Sequence, residues 1–222
     1  METLAQLNNN EPWQKLFKTE KAFSDFCTKH ADRVDWERVS EYQKLSEGFI
    51  TKHADRVNWG AVSVYQKLSE GFITKHADRV DWGNVSEYQK LSEGFRKEHK
   101  LTVSKTNWLY KTREEKRTLL KKTEYEVKGN YIYAYKGVRS DRYSKFNFQY
   151  RYQVGKTYES TCDCESTNDN SFGLSAWTLE KAREYCDQKI LLVKIHLDDL
   201  GVIVQNGNKI RCWKQTVVKE VK

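Results

Sequence analysis

Along the first hundred residues the apolar positions recur as a block rather than with one helical period. Thr-Lys-His-Ala-Asp-Arg-Val begins at Thr28, Thr51 and Thr74, and Tyr-Gln-Lys-Leu-Ser-Glu-Gly-Phe begins at Tyr42, Tyr65 and Tyr88, so the pattern repeats every 23 residues. Residues 28–50 and 51–73 agree at 19 of 23 positions, as do 51–73 and 74–96. Trp13 stands one step before Trp36, Trp59 and Trp82, which marks a decayed unit ahead of the first full copy. A unit this short is one supersecondary element that buries its apolar face only against its neighbours.

Each unit predicts two short helices. Asp35, Asn58 and Asp81 stand where a helix N-cap is wanted, just before Trp-x-x-Val-Ser-x-Tyr. Val34 with Val39, Val57 with Val62 and Val80 with Val85 have the spacing of a hydrophobic staple. Ser46, Ser69 and Ser92 cap the second helix, with Leu45 stapled to Ile50 and Leu68 to Ile73. In the third copy the staple partner is Arg96, so the array is expected to stop there. His30, His53, His76 and His99 are in phase. Helices packed about 8–10 Å apart cannot bring such a series onto one zinc with bonds of about 2 Å, so these histidines predict packing rather than a metal site.

Beyond about residue 130 the pattern changes to strands and turns. Tyr131–Val138 alternates as a strand, Tyr150–Val154 and Thr157–Ser160 flank a Gly155-Lys156 turn, and Lys189–Leu197 reads as a buried strand. Thr178 is placed to cap a helix over LEKAREYC, and Asn206-Gly207 predicts a hairpin between 201–204 and 210–218. Between the halves, Asn107 predicts a basic helix running to about Lys122. The expected fold is therefore α+β: a stacked helical repeat array over 11–100, a basic connecting helix within 101–128, and a β-rich α+β domain over 129–222.

Charge and composition narrow the function. The formal net charge of +8 divides into −2 over residues 1–95, +6 over 96–130 and +4 over 131–222. Arg113, Arg117, Lys121 and Lys122, interleaved with Trp108, Tyr110 and Tyr125, form a candidate nucleic-acid or anion surface, and Arg142 with Lys145 forms a second. Mean hydropathy is −0.87 and no run approaches the roughly 20 apolar residues of a membrane span. Five cysteines without framework spacing fit a reducing compartment, and METLAQLNNNEPW predicts no secretory signal, so the chain reads as intracellular. Cys162-x-Cys164 offers two thiolates where structural zinc needs four ligands, and no metal or cofactor is expected.

The units Asp-Trp-x-x-Val-Ser-x-Tyr-Gln-Lys-Leu-Ser-Glu-Gly-Phe resemble the short helical repeats of proteins from giant DNA viruses of the mimivirus kind. The similarity continues through Asn107-Trp-Leu-Tyr-Lys111, Ala134-Tyr-Lys-Gly-Val-Arg139 and Asn170-Ser-Phe-Gly-Leu-Ser-Ala-Trp177. It implies a viral protein acting in the host cytoplasm or carried in the virion. The second half is also similar to the ADP-ribosyltransferase-like superfamily. That resemblance implies Arg139, in Tyr135-Lys-Gly-Val-Arg139, as a contact to a nicotinamide cofactor (NAD), and Ser175, in Gly173-Leu-Ser-Ala-Trp-Thr178, as the second catalytic element. The late strand departs from the pattern, with Gln215 where a catalytic acid is wanted, so Glu159 or Glu165 would have to supply the anion.

The leading expectation is a non-enzymatic interaction protein whose array presents a surface to a protein partner. The alternatives are an NAD-using transferase built on Arg139, Ser175 and Glu159, and nucleic-acid binding through the basic junction.

Overall fold

Helices of six or seven residues are far below the length at which a helix is stable alone, so those of the first half depend on their caps and on neighbouring units. The computed structural model describes residues 2–145 and 149–221. The chain divides into two compact units, Met1–Thr102 and Val103–Lys222. In the first, α1 (Glu2–Asn8), α2 (Trp13–Leu16) and α3 (Glu20–Lys29) precede three helix pairs. These are α4 (Trp36–Tyr42) with α5 (Glu47–Lys52), α6 (Trp59–Tyr65) with α7 (Glu70–Lys75), and α8 (Trp82–Tyr88) with α9 (Glu93–Glu98).

All six expected caps form. The Asp35, Asn58 and Asp81 side chains accept from the N–H groups of Arg38, Ala61 and Asn84. Ser46, Ser69 and Ser92 accept from Phe49, Phe72 and Phe95. The staple residues Val34, Val39, Leu45 and Ile50 and their apolar copies lie in one continuous core, with Trp36, Trp59 and Trp82 packed against it.

The most deeply buried bonds between units centre on a residue that the periodicity alone does not single out. The Gln66 amide donates to the carbonyls of Ser40 (2.7 Å) and Gln43 (2.8 Å), and its oxygen accepts from Leu45 N–H (3.0 Å). Gln89 repeats this on Ser63, Gln66 and Leu68, and Gln43 reaches back to Glu11 and Trp13. Glu47 and Glu70 accept from Ser69 and Ser92 N–H one unit on, at 2.6 and 2.5 Å. The decayed unit differs where expected: the Trp13 indole donates to Lys44 O, whereas Trp36 and Trp59 donate to Ala31 and Ala54. The core also extends before residue 11, because α1 contributes Leu4 and Leu7, and its Asn8 accepts from Asp35 N–H.

In the second unit, α10 (Arg113–Leu120) precedes β1 (Glu126–Lys128), β2 (Tyr131–Val138), β3 (Thr157–Glu159) and β4 (Leu174–Trp177). Then come α11 (Leu179–Tyr185), β5 (Lys189–His196), β6 (Leu200–Val204), β7 (Lys209–Cys212) and β8 (Lys214–Val221). All pairings are antiparallel, in the order β3-β8-β5-β2-β4-β7-β6, with β1 also on β2. α11 lies against β2 where Gly137 has no side chain, since a Cβ there would overlap the carbonyls of Ala182 and Cys186. Asn206-Gly207 turns the β6–β7 hairpin as expected, through left-handed backbone at Gln205, Asn206 and Gly207.

Several expectations are corrected. The basic helix begins not at Asn107 but after Thr112, whose side chain forms a capping box with Glu115. Asn107 is already engaged, accepting from Leu109 N–H at 2.8 Å and bridging to Glu165. Residues 103–128 belong to the second unit, whose core includes Trp108, Leu109, Leu120 and Tyr125. The Tyr150–Val154 and Thr157–Ser160 segments do not pair with each other. Gly155 turns the chain at φ +80°, but its N–H donates to Val217 O and β3 pairs with β8. The predicted 210–218 strand is two: β7 and β8 separate at Trp213, with β4, β2 and β5 between them in the sheet. Thr178 occupies the cap position of α11 but makes no side-chain cap bond.

Two outcomes follow for the helical unit. Replacing Gln66 by Leu strands the Ser40 and Gln43 carbonyls and the Leu45 N–H, and is expected to cost about 2–4 kcal/mol, read as a lower urea midpoint. Burial first, then the Lys52 charge, holds His53 below its ordinary pKa of 6.5, and burial with Lys75 and Arg79 does the same for His76. The unfolded chain then binds protons more readily, so stability is full above about pH 6.5 and falls as pH drops through that value. A His53→Gln/His76→Gln variant should flatten this acid limb in urea titrations between about pH 7 and 5.

Candidate functional site

The residues expected to act together as a transferase site are held in separate pairings. Arg139 follows β2 and forms an ion pair with Asp141 at 3.0 Å. Glu159 ends the edge strand β3 and meets Lys214 at 2.6 Å. Ser175 is on β4, opposite Arg211 of β7, and its carbonyl accepts from the Lys136 ammonium at 2.7 Å. Strands β8, β5 and β2 lie between β3 and β4 in the sheet order. Glu165 is tied to Thr106 and Thr167. Gln215 is buried and its amide nitrogen has no hydrogen-bond partner among the described residues.

The basic candidates are also distributed. Arg113 forms a two-pronged pair with Asp198, and Arg117 donates to Gly129 O (2.7 Å) and Asn130 Oδ1 (2.8 Å). Lys121 and Lys122 are exposed just past α10. Arg142 bonds Glu220 at 2.7 Å, and the Lys145 nitrogen lies 5.9 Å from the Tyr185 ring centre. The histidines stack within the array, with His53 4.5 Å from Phe49 and 5.1 Å from Trp36. Among the described residues no three His, Cys, Asp or Glu side chains are grouped as a metal site. Among the described residues, too, no helix is long and apolar enough to cross a membrane.

What sequence reading did not anticipate is a set of buried cations in the second unit. Lys116 donates to Leu197 O (3.2 Å) and Leu200 O (2.7 Å). Arg211, fully buried, donates to the backbone carbonyls of Asp163, Glu165 and Asn168, with the Asp163 carboxylate 3.7 Å away. Lys136 and Lys209 both approach Trp177, their nitrogens 5.7 and 5.9 Å from its ring centre, and Lys136 also lies 4.7 Å from that of Tyr152. Burial lowers the Lys136 pKa to about 8; the charge of Lys209 works in the same direction, and Cys212 opposes it. Burial, then Arg211, lowers that of Lys209. No periodicity marks these lysines; the one sequence signal nearby is Trp177, at the end of the Asn170–Trp177 motif.

Lys209 opens onto a cleft of about 260 Å³ lined by Trp177, Lys181, Glu184, Tyr185, Asn170 and Gln205. Trp177 and Tyr185 stack with centres 4.3 Å apart. On the helical unit, the surface candidate is the loop after each first helix. Lys44, Lys67 and Lys90 are exposed there, beside the exposed Tyr42 and the half-buried Tyr65 and Tyr88.

No family model, curated protein or solved structure matches this chain.

Lys136 is the sharpest electrostatic test of this interior. Its folded pKa lies below the unfolded value of 10.5, so the unfolded chain holds more protons between about pH 8 and 10.5 and stability rises with pH across that window. Lys136→Met should therefore raise stability at pH 7 by about 1–3 kcal/mol in denaturant titrations, an advantage that shrinks above about pH 8.

Proposed function

We propose that this chain is a non-enzymatic interaction protein whose 23-residue units stack as a solenoid and offer one periodic surface to a macromolecular partner. The carrying observation is the repeated Tyr-x-Lys loop: Tyr42 with Lys44, Tyr65 with Lys67 and Tyr88 with Lys90. At the first two, Gln66 and Gln89 pin the loop from within by accepting from Leu45 and Leu68 N–H. The shared glutamine bond orients the first two loops alike, and the copied sequence carries the same Tyr and Lys to the third, so a partner with repeating acceptors meets the same side chains at each step. Such surfaces gain affinity by simultaneous engagement rather than by one deep pocket. Surface ion pairs between units, Arg56 with Asp32 and Arg79 with Asp55, add little stability and leave both charges at the surface. The resemblance to giant-virus repeat proteins supports a viral origin, and a protein in the host cell is the partner class proposed. The dispersed pairings of Arg139, Ser175 and Glu159 favour this reading over a transferase.

Deleting residues 51–73 joins two near-identical copies and keeps each cap and glutamine in phase. In pull-downs with the full chain, the deletion is expected to weaken partner capture several-fold while the circular dichroism melt stays cooperative. Replacing Tyr42, Tyr65 and Tyr88 by Ser should weaken it further. Capture unchanged in both variants removes the array from the function.

A further inference from the structure

The cleft beside α11 is a stronger lead than its size suggests, because of the cation at its base. Lys209 is 6% exposed, yet its ammonium bonds only neutral acceptors, Asp169 O at 3.0 Å and Asn170 Oδ1 at 3.3 Å. A lysine ammonium has three donors, and no acceptor among the described residues takes the third. A buried ammonium with no carboxylate hydrogen-bonded to it is costly; the nearby Asp169 carboxylate offsets part of that cost, while the Arg211 charge adds to it. Lys136 is buried against the same Trp177 ring and Arg211 is two residues along β7, while the buried carboxylate of Asp163 stands against Arg211. The interior here carries more positive than negative charge, and the cleft is where it reaches solvent.

We propose that this cleft binds a small organic anion bearing one planar ring, its anionic group on Lys209 and Lys181 and its ring along the Trp177–Tyr185 stack. Among the described residues Lys181 is held by an exposed pair with Glu184, a contact of small worth that a bound anion can displace. Tyr185 is the more open member of the stack, and the Asn170 and Gln205 amides add hydrogen-bonding capacity at the rim. The walls are already fixed. Gln205 is held with φ +53° by its N–H bond to the Asp169 carboxylate (3.0 Å), and Thr178 N–H ties the same turn to β4 through Asn208 O. A preformed rim spares a ligand the ordering cost of binding. A volume of about 260 Å³ lies just under the usual range of ligand sites, so it suits a single ring with one anionic group and not a dinucleotide. The cleft belongs wholly to the second unit and shares no residue with the repeat surface.

Isothermal titration of the full chain with phenyl phosphate, benzoate, inorganic phosphate and phenol tests it. Saturable binding is expected for phenyl phosphate or benzoate, the tighter of the two naming the head group. Phenol and inorganic phosphate should each bind at least about tenfold more weakly, the worth of one lost charged or ring contact. Lys209→Gln should weaken the preferred anion about tenfold, and Lys181→Gln and Tyr185→Ser several-fold. If Lys209→Gln does not fold, as judged by circular dichroism, the other two variants carry the test. Failure of both ring-bearing anions to bind wild type, equal binding of inorganic phosphate, or undiminished binding in every folded variant would each overturn the proposal.

Discussion

A buried glutamine amide holds the helical unit together. Each helix is too short to persist alone and each cap is local, so neither sets where one copy lies on the next. Gln66 does so, spending both amide hydrogens on two carbonyls of the preceding copy and its oxygen on a third backbone group. Because the amide is 3% exposed, none of those groups has water as an alternative, and the geometry is demanded three times at one point. A second series closes at both ends by substitution. Ser40 and Ser63 accept from Asn58 and Asp81 N–H one copy on, Asn8 of α1 takes that place for Asp35 N–H, and at the far end the Ser86 hydroxyl donates to Thr102 O.

The second unit is organised by a different constraint. Its sheet encloses cations instead of a purely apolar core, and Lys116, Lys136 and Arg211 are held by backbone carbonyls or aromatic rings more than by carboxylates. Arg211 gathers the 163–168 loop by donating to three of its carbonyls, which fixes a segment with no regular secondary structure of its own. The same strand carries Lys209 to the cleft. Architecture and candidate site are therefore linked through β7: the charges that order the loop also give the cleft its sign.

The helical half was largely legible from residues 28–96, because a cap, a staple and a failed staple at Arg96 are decided within a few residues of chain. The β6–β7 hairpin was legible for the same reason, since Asn206-Gly207 suits left-handed backbone. The candidate site was much less so. Trp177 belonged to a motif that could be singled out, but Lys136 and Lys209 look like any other strand lysines. The residues that a family resemblance suggested, Arg139, Ser175 and Glu159, are each held by a different neighbour.

The sequence by itself determined the 23-residue period, the positions of the caps, the change from helix to strand and the turn at 206–207. All of these rest on interactions between near neighbours or on one residue's backbone preference. Only the tertiary structure decided that α10 packs into the second core, and that β7 and β8 part at Trp213 to flank different strands. It alone decided which cations go inside. Those outcomes depend on hydrogen bonds and charge burial between residues dozens of positions apart, such as Lys136 with Ser175 and Arg211 with Asp163, and no local pattern encodes them.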